Sequence, residues 1–158
     1  MKKIILGFGG ALLVIAVIAG FFYFAREPGI RPEQNETVSD PQMLLIPRWF
    51  LASLRLNDIA VEIPAGQQEM TLQFENAGQA NGTGGCNSFG VTYQADYDGS
   101  LSFGPIASTR MFCEGMMEQE NVYFEALSRV AQFRIAEGKL FMTSADGQTE
   151  LVFTRPPK

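Results

Sequence analysis

The chain has 158 residues, enough for one globular core beyond a targeting segment and too few for two domains of the usual size of about 100 to 150 residues. It is acidic, with 12 Lys and Arg against 17 Asp and Glu, which repels a phosphate backbone and argues against nucleic-acid binding. It contains no histidine, which removes the commonest general base, the commonest metal ligand and the usual partner of a nucleophilic Ser or Cys.

The first element in chain order is Ile4 to Ala25, an uncharged run behind Lys2 and Lys3. A spanning helix needs about 20 such residues, so residues 1–25 are expected to form a transmembrane signal anchor. Positive charge stays cytoplasmic, which puts the remainder of the chain on the far side of the membrane. The rival reading is cleavage after Val17-Ile18-Ala19, which leaves the apolar stretch from Gly20 to Ala25 as a new N-terminus. Residues 26–47 carry Pro28, Pro32, Pro41 and Pro47 and few apolar side chains before Met43, the composition of an extended linker.

From residue 48 to 158 the pattern is short strands between turn signals, with one helix. Met70, Leu72 and Phe74 alternate with Thr71, Gln73 and Glu75, the period of a half-buried strand. Val91, Tyr93 and Ala95 continue it, Asp98-Gly99 supplies a hairpin turn, and Leu101 and Phe103 start the return. Turns at Glu137-Gly138 and Asp146-Gly147 separate further strands with Leu140, Met142, Leu151 and Phe153 as inward residues. Between these, Glu114 to Phe133 reads as one amphipathic helix with Met117, Phe124, Leu127 and Ala131 on its apolar stripe. The predicted class is mainly β (α+β), an antiparallel sheet covered by one helix.

The two cysteines, Cys86 and Cys113, stand in "NGTGGCNSFG" and "STRMFC". In an exported chain they are most simply a disulfide, closing a loop whose chain-entropy contribution is about 3.5 kcal/mol. Gly84 and Gly85 fit beside it, since glycine permits positive φ and close backbone approach; Asn87 suits a turn. Two rivals stay open. Met111, Cys113, Met116 and Met117 have the ligand types of a Cu(I) site, although a disulfide consumes the thiolate. A catalytic Cys needs a cationic neighbour, and Arg110 alone is close in sequence.

Taken together, "GTGGCNSFGVTY", "LSFGPIASTRMFC", Glu120 in a helix and "GKLFMTSADGQTELVF", with Trp49 opening a first strand, resemble the META domain, the family that includes the bacterial heat-shock protein HslJ. The resemblance spans Trp49 to Thr154. It implies a small antiparallel, lipocalin-like β barrel or strongly curved sheet with one packed helix; no cofactor and no metal are expected. It also implies a bacterial envelope protein of undefined biochemical activity, associated with heat-shock and antibiotic stress; the favoured reading is a protein that acts without catalysis in envelope integrity or stress response. With the N-terminal segment as anchor, the expected location is the cytoplasmic membrane, single-pass, with the domain in the periplasm or outside the cell. The expected partners are the membrane itself and another envelope protein. Many members carry Arg after the Asn of the GCN motif; this chain has Ser88.

The motif residues singled out for binding or structure are Gly85, Asn87, Arg110, Met111 and Glu120. Arg110 admits two readings: pairing with a carboxylate such as Glu120 or with loop carbonyls, or clamping an anionic ligand at the barrel mouth. Asp96 and Asp98 look like turn-formers more than a glycosidase pair. Trp49 and Phe50 read as a core anchor before a sugar platform. Two other functions are weighed: a carrier of a small apolar ligand or soft metal ion, and a hydrolase, for which no nucleophile and base pair can be named.

Overall fold

The computed structural model describes residues 37–45, 48–63 and 69–156. The expected anchor over residues 1–25 lies outside the described residues; among those described, no helix is long and apolar enough to cross a membrane. The strands are β1 (Trp49–Leu56), β2 (Ile59–Val61), β3 (Met70–Glu75), β4 (Gln79–Gly84), β5 (Ser88–Ala95), β6 (Leu101–Phe103) and β7 (Ala107–Ser108), followed by β8 (Val130–Ala136), β9 (Lys139–Ser144) and β10 (Glu150–Thr154). The helix α1 (Met117–Ser128) lies between β7 and β8.

Period-two alternation sets the sheet. Met70, Leu72 and Phe74 in β3, Leu140 and Met142 in β9, and Leu151 and Phe153 in β10 are all buried, as their spacing requires. The main path runs β6-β5-β4-β3-β1-β10-β9-β8, antiparallel at each step, with β2 added beside β1 and β7 beside β5. The two ends of the path meet. Ser100 bridges Gln132, and the Phe133 N–H donates to the Gly99 carbonyl at 2.8 Å, so the sheet closes into a barrel-like shape.

Closure is completed by residues that composition had assigned to the linker. Val38 and Ile135 exchange both backbone hydrogen bonds, at 2.9 and 2.8 Å. The Ser39 hydroxyl donates to the Phe133 carbonyl, and Leu44, in a short 3-10 helix over Pro41–Leu45, is fully buried. Trp49 is buried too, and its indole N–H donates to the Leu44 carbonyl at 3.2 Å. The segment 37–45 therefore packs as part of the barrel, whose N-terminal boundary falls before residue 48. Leu44 explains why: an apolar side chain this close to β1 gains more by burial than by extension into water.

The stretch Glu114 to Phe133 divides where one helix was expected. α1 ends at Ser128, and from Val130 the chain is β8, where Val130, Phe133 and Ile135 are buried. Pairing with β9 outweighs the helical spacing of Ala131. The buried face of α1 is also turned from the expected stripe: Glu120, Tyr123, Ala126 and Leu127 are buried, while Met117 and Phe124 are partly covered. The Tyr123 hydroxyl donates to the Thr71 carbonyl at 3.2 Å, and its ring lies 6.0 Å from Phe89 and 6.4 Å from Phe153. Side chains of Trp49, Leu72, Tyr123, Leu140, Met142 and Phe153 fill the interior.

Candidate functional site

The paired motifs of the sequence meet at the start of β5. Cys86 and Cys113 are bonded, with Cα atoms 5.8 Å apart and sulfur atoms 2.02 Å apart. Cys113 consequently offers no thiolate for a soft metal or for nucleophilic attack. Among the described residues no group of three or more His, Cys, Asp or Glu is placed to hold a metal ion. Gly85 has φ 103°, a conformation that L side chains rarely adopt, so a glycine is needed there to turn the chain from β4 into Cys86.

Asn87, 2% exposed, organises the rest. Its Nδ2 donates to Glu120 Oε1 at 2.7 Å and to the Met111 carbonyl at 3.1 Å. Its Oδ1 accepts from the Met111 N–H at 2.7 Å and from the Thr109 hydroxyl at 2.7 Å. The backbone of Asn87 is used as well, its N–H on Glu120 Oε2 at 2.6 Å and its carbonyl accepting from the Gly84 N–H at 2.8 Å. Both donors and both lone-pair directions of the carboxamide are thus engaged.

Glu120 is 3% exposed and sits in the first turn of α1, where the helix dipole favours negative charge. It takes the Asn87 amide and side chain together with the Cys86 N–H at 3.2 Å. All these partners are N–H donors, the arrangement that suits a carboxylate withdrawn from water. Gly84 makes room for it: a Cβ there would stand 2.7 Å from Phe124 Cζ and 2.8 Å from Glu120 Cγ. The glycine serves the approach of the helix, while the turn into the disulfide is served by Gly85. Neither the burial of Glu120 nor its partners are legible from its spacing in α1; the one signal in the chain is the resemblance, which puts a glutamate in the helix that follows the GCN and TRM motifs.

The family can now be assigned. A family model described as META domain matches residues 45–157. The chain belongs to the META domain family. Its structure is similar to an NMR structure of a protein from Burkholderia xenovorans, at 26% identity with a TM-score of 0.63, covering 74% of this chain and 86% of that one. A second NMR structure has the same 26% identity, a TM-score of 0.55 and coverage of 73% and 93%. A crystal structure of a DUF4847 family protein from Bacteroides vulgatus, 14% identical, shares the fold with a TM-score of 0.54 over 74% and 97% of the two chains. No curated protein matches the chain.

In this META domain Arg110 is exposed and makes no ion pair with a described residue; the expected pairing with Glu120 is absent because Asn87 and Cys86 occupy that carboxylate. Arg55 and Arg129, by contrast, pair with Asp58 and with Glu125. Next to Arg110, Met111 is 56% and Phe112 81% exposed. A surface groove of about 410 Å³ adjoins Met111 and is bordered by Arg48, Glu69, Thr71, Thr83 and Ser88. Asp98 accepts from the Ser100 N–H, and the Asp96 carbonyl accepts from the Gly99 N–H, so both acids belong to the β5–β6 turn. Trp49 is a core anchor with no exposed face.

Proposed function

We propose that this META domain is a membrane-tethered, non-catalytic binding module of the bacterial envelope. In this reading Ile4 to Ala25 anchors the chain in the cytoplasmic membrane, and the barrel works on the far side, in envelope integrity or stress response, by docking an envelope protein. The observation that supports it is the treatment of Arg110, Met111 and Phe112: exposed, yet fixed on one side by the bonds from Asn87 and on the other by the disulfide at Cys113. Large apolar side chains carried into water on a backbone so held are a cost that a docking surface explains. The buried polar groups Asn87 and Glu120 spend their hydrogen bonds on holding this loop, which favours a scaffold over chemistry at that point. The filled interior likewise favours binding at the surface over carriage of an apolar ligand.

The experiment is photo-crosslinking in living cells, with the reactive side chain at Phe112 or, as a control on another exposed aromatic, at Tyr97. Docking predicts a discrete adduct from position 112 and none from 97. Adducts from neither position, or equal smears from both, would overturn the binding reading. N-terminal sequencing of protein extracted from its membrane tests the tether: a chain that begins before Gly20 supports it, one that begins at Gly20 removes it.

A further inference from the structure

We propose that the outer edge of the segment Ala107 to Met111 takes up an extended peptide by strand addition, with acidic side chains near Arg110 and an apolar one against Phe112. This rests on the surface-binding reading above and names its partner class. β7 pairs with β5 alone, through Phe89 with Ser108 and Gly90 with Ala107. The pairing continues past the strand: the Thr109 N–H donates to the Ser88 carbonyl at 3.0 Å, and the Asn87 carboxamide then stands in for a strand opposite Met111. Because bonds alternate along an antiparallel ladder, Thr109 and Met111 direct their backbone inward, and Ser108 and Arg110 direct theirs away from β5. Among the described residues no strand pairs with that outer side.

Proteins usually blunt such an edge with proline, a bulge or a covering element. Here Ala107 to Phe112 are all exposed, contain no proline, and are covered by no described strand. The edge is also ordered in advance by Asn87 and by the disulfide, which lowers the entropy lost when a peptide docks. Strand addition draws affinity from the main chain and selectivity from alternate side chains. Arg110 selects: it has no carboxylate partner among the described residues, and Arg48, at the groove beyond Met111, has none either. An anionic lipid surface fits less well, since Glu114 and Glu118 are exposed close by and the chain as a whole carries a net charge of −5.

The test uses the full oxidised chain in neutral detergent and a short capped peptide with glutamate and phenylalanine two residues apart, on one face of the extended chain, and valine between them; the control peptide has lysine for glutamate. Saturable binding is expected, with amide exchange at Ser108 and Arg110 slowed about tenfold or more and Thr109 unchanged, as one new hydrogen bond at each outward amide implies. The lysine peptide and an Arg110→Glu chain are expected to lose about tenfold in affinity. Ser108→Pro removes an outward N–H without touching the ladder to β5, and is expected to abolish binding at an unchanged melting temperature. If that variant misfolds, the exchange pattern of the natural chain still decides. Binding without protection at Ser108 and Arg110, or protection by phosphatidylglycerol vesicles but not by the peptide, overturns strand addition. Crosslinks from Phe112 in cells that survive Ser108→Pro overturn it too, while leaving docking intact; no crosslinks at all overturn both.

Discussion

The carboxamide of Asn87 lies edge to edge with the backbone of Met111, accepting its N–H at 2.7 Å and donating to its carbonyl at 3.1 Å. A side chain here completes a ladder that the main chain has left, and the same side chain reaches Glu120 on α1 at 2.7 Å. Sheet edge, helix start and disulfide are tied through one amide, which makes the motif residues interdependent.

Glu120 is the carboxylate end of that network, so replacing it should expose the coupling. Glu120→Gln keeps the size but turns an NH2 group toward a donor, Asn87 Nδ2 or a backbone N–H, and should lower stability by about 1 to 3 kcal/mol. Asn87→Ala in the same background should then cost less than it does alone, because the two residues share their bonds. Urea unfolding followed by Trp49 fluorescence measures both; additive losses would show that the network is not coupled.

Cutting the bond between Cys86 and Cys113 should cost about 3.5 kcal/mol by the loop-closure relation while the barrel persists, since its core holds Trp49, Leu72, Leu151 and Phe153 independently of the bridge. A Cys86→Ala, Cys113→Ala chain should keep its far-ultraviolet circular dichroism, melt at lower temperature and exchange amides faster from Thr109 to Phe112. Alkylation of the native envelope protein should find no free thiol until a reductant is added.

Gly84 and Gly90 form a matched pair for testing how the helix seats. A methyl group at Gly84 meets Phe124 and Glu120 at 2.7 and 2.8 Å, whereas one at Gly90 meets nothing within 4 Å. Gly84→Ala should therefore destabilise by about 1 to 3 kcal/mol through overpacking. Gly90→Ala should be neutral or slightly stabilising through the unfolded chain. Equal effects would mean that α1 does not rest on β4.

The pH dependence of stability has two predicted limbs. Burial raises the pKa of Tyr123 well above the ordinary tyrosine range. Its contribution is complete below the unfolded value of about 10 and is lost as pH rises beyond it, because the unfolded chain then releases a proton that the folded one keeps. Tyr123→Phe should flatten that alkaline limb. On the acid side, the Ser100 N–H lowers the pKa of Asp98, and the Ser144 hydroxyl, then the Gln148 N–H, lower that of Asp146. Their contribution is present above about 3.9 and fades as pH falls through the folded values, so an Asp98→Asn, Asp146→Asn chain should lose less stability on acidification. Thermal melts across pH decide both.

Alternation in β3, β9 and β10 and the turns at Asp98-Gly99, Glu137-Gly138 and Asp146-Gly147 were legible in the chain because they are local: period two and positive-φ residues act over a few positions. The family was legible from the spacing of the GCN and TRM motifs, and the pairing of Cys86 with Cys113 from there being only two cysteines to join. What lay beyond reach was set at long range. Helical spacing ran on to Ala131, but β9 took Val130 to Ala136 as a partner strand. Pro-rich composition read as linker up to residue 47, but Val38 found Ile135 across the barrel. Glu120 looked free to meet Arg110, and burial gave it to Asn87 and Cys86, leaving the arginine in solvent. Local pattern fixes which residues can form a strand or a turn; which buried polar groups satisfy one another is decided only when the closed sheet removes water from them, and there each unmade bond costs more than any propensity supplies.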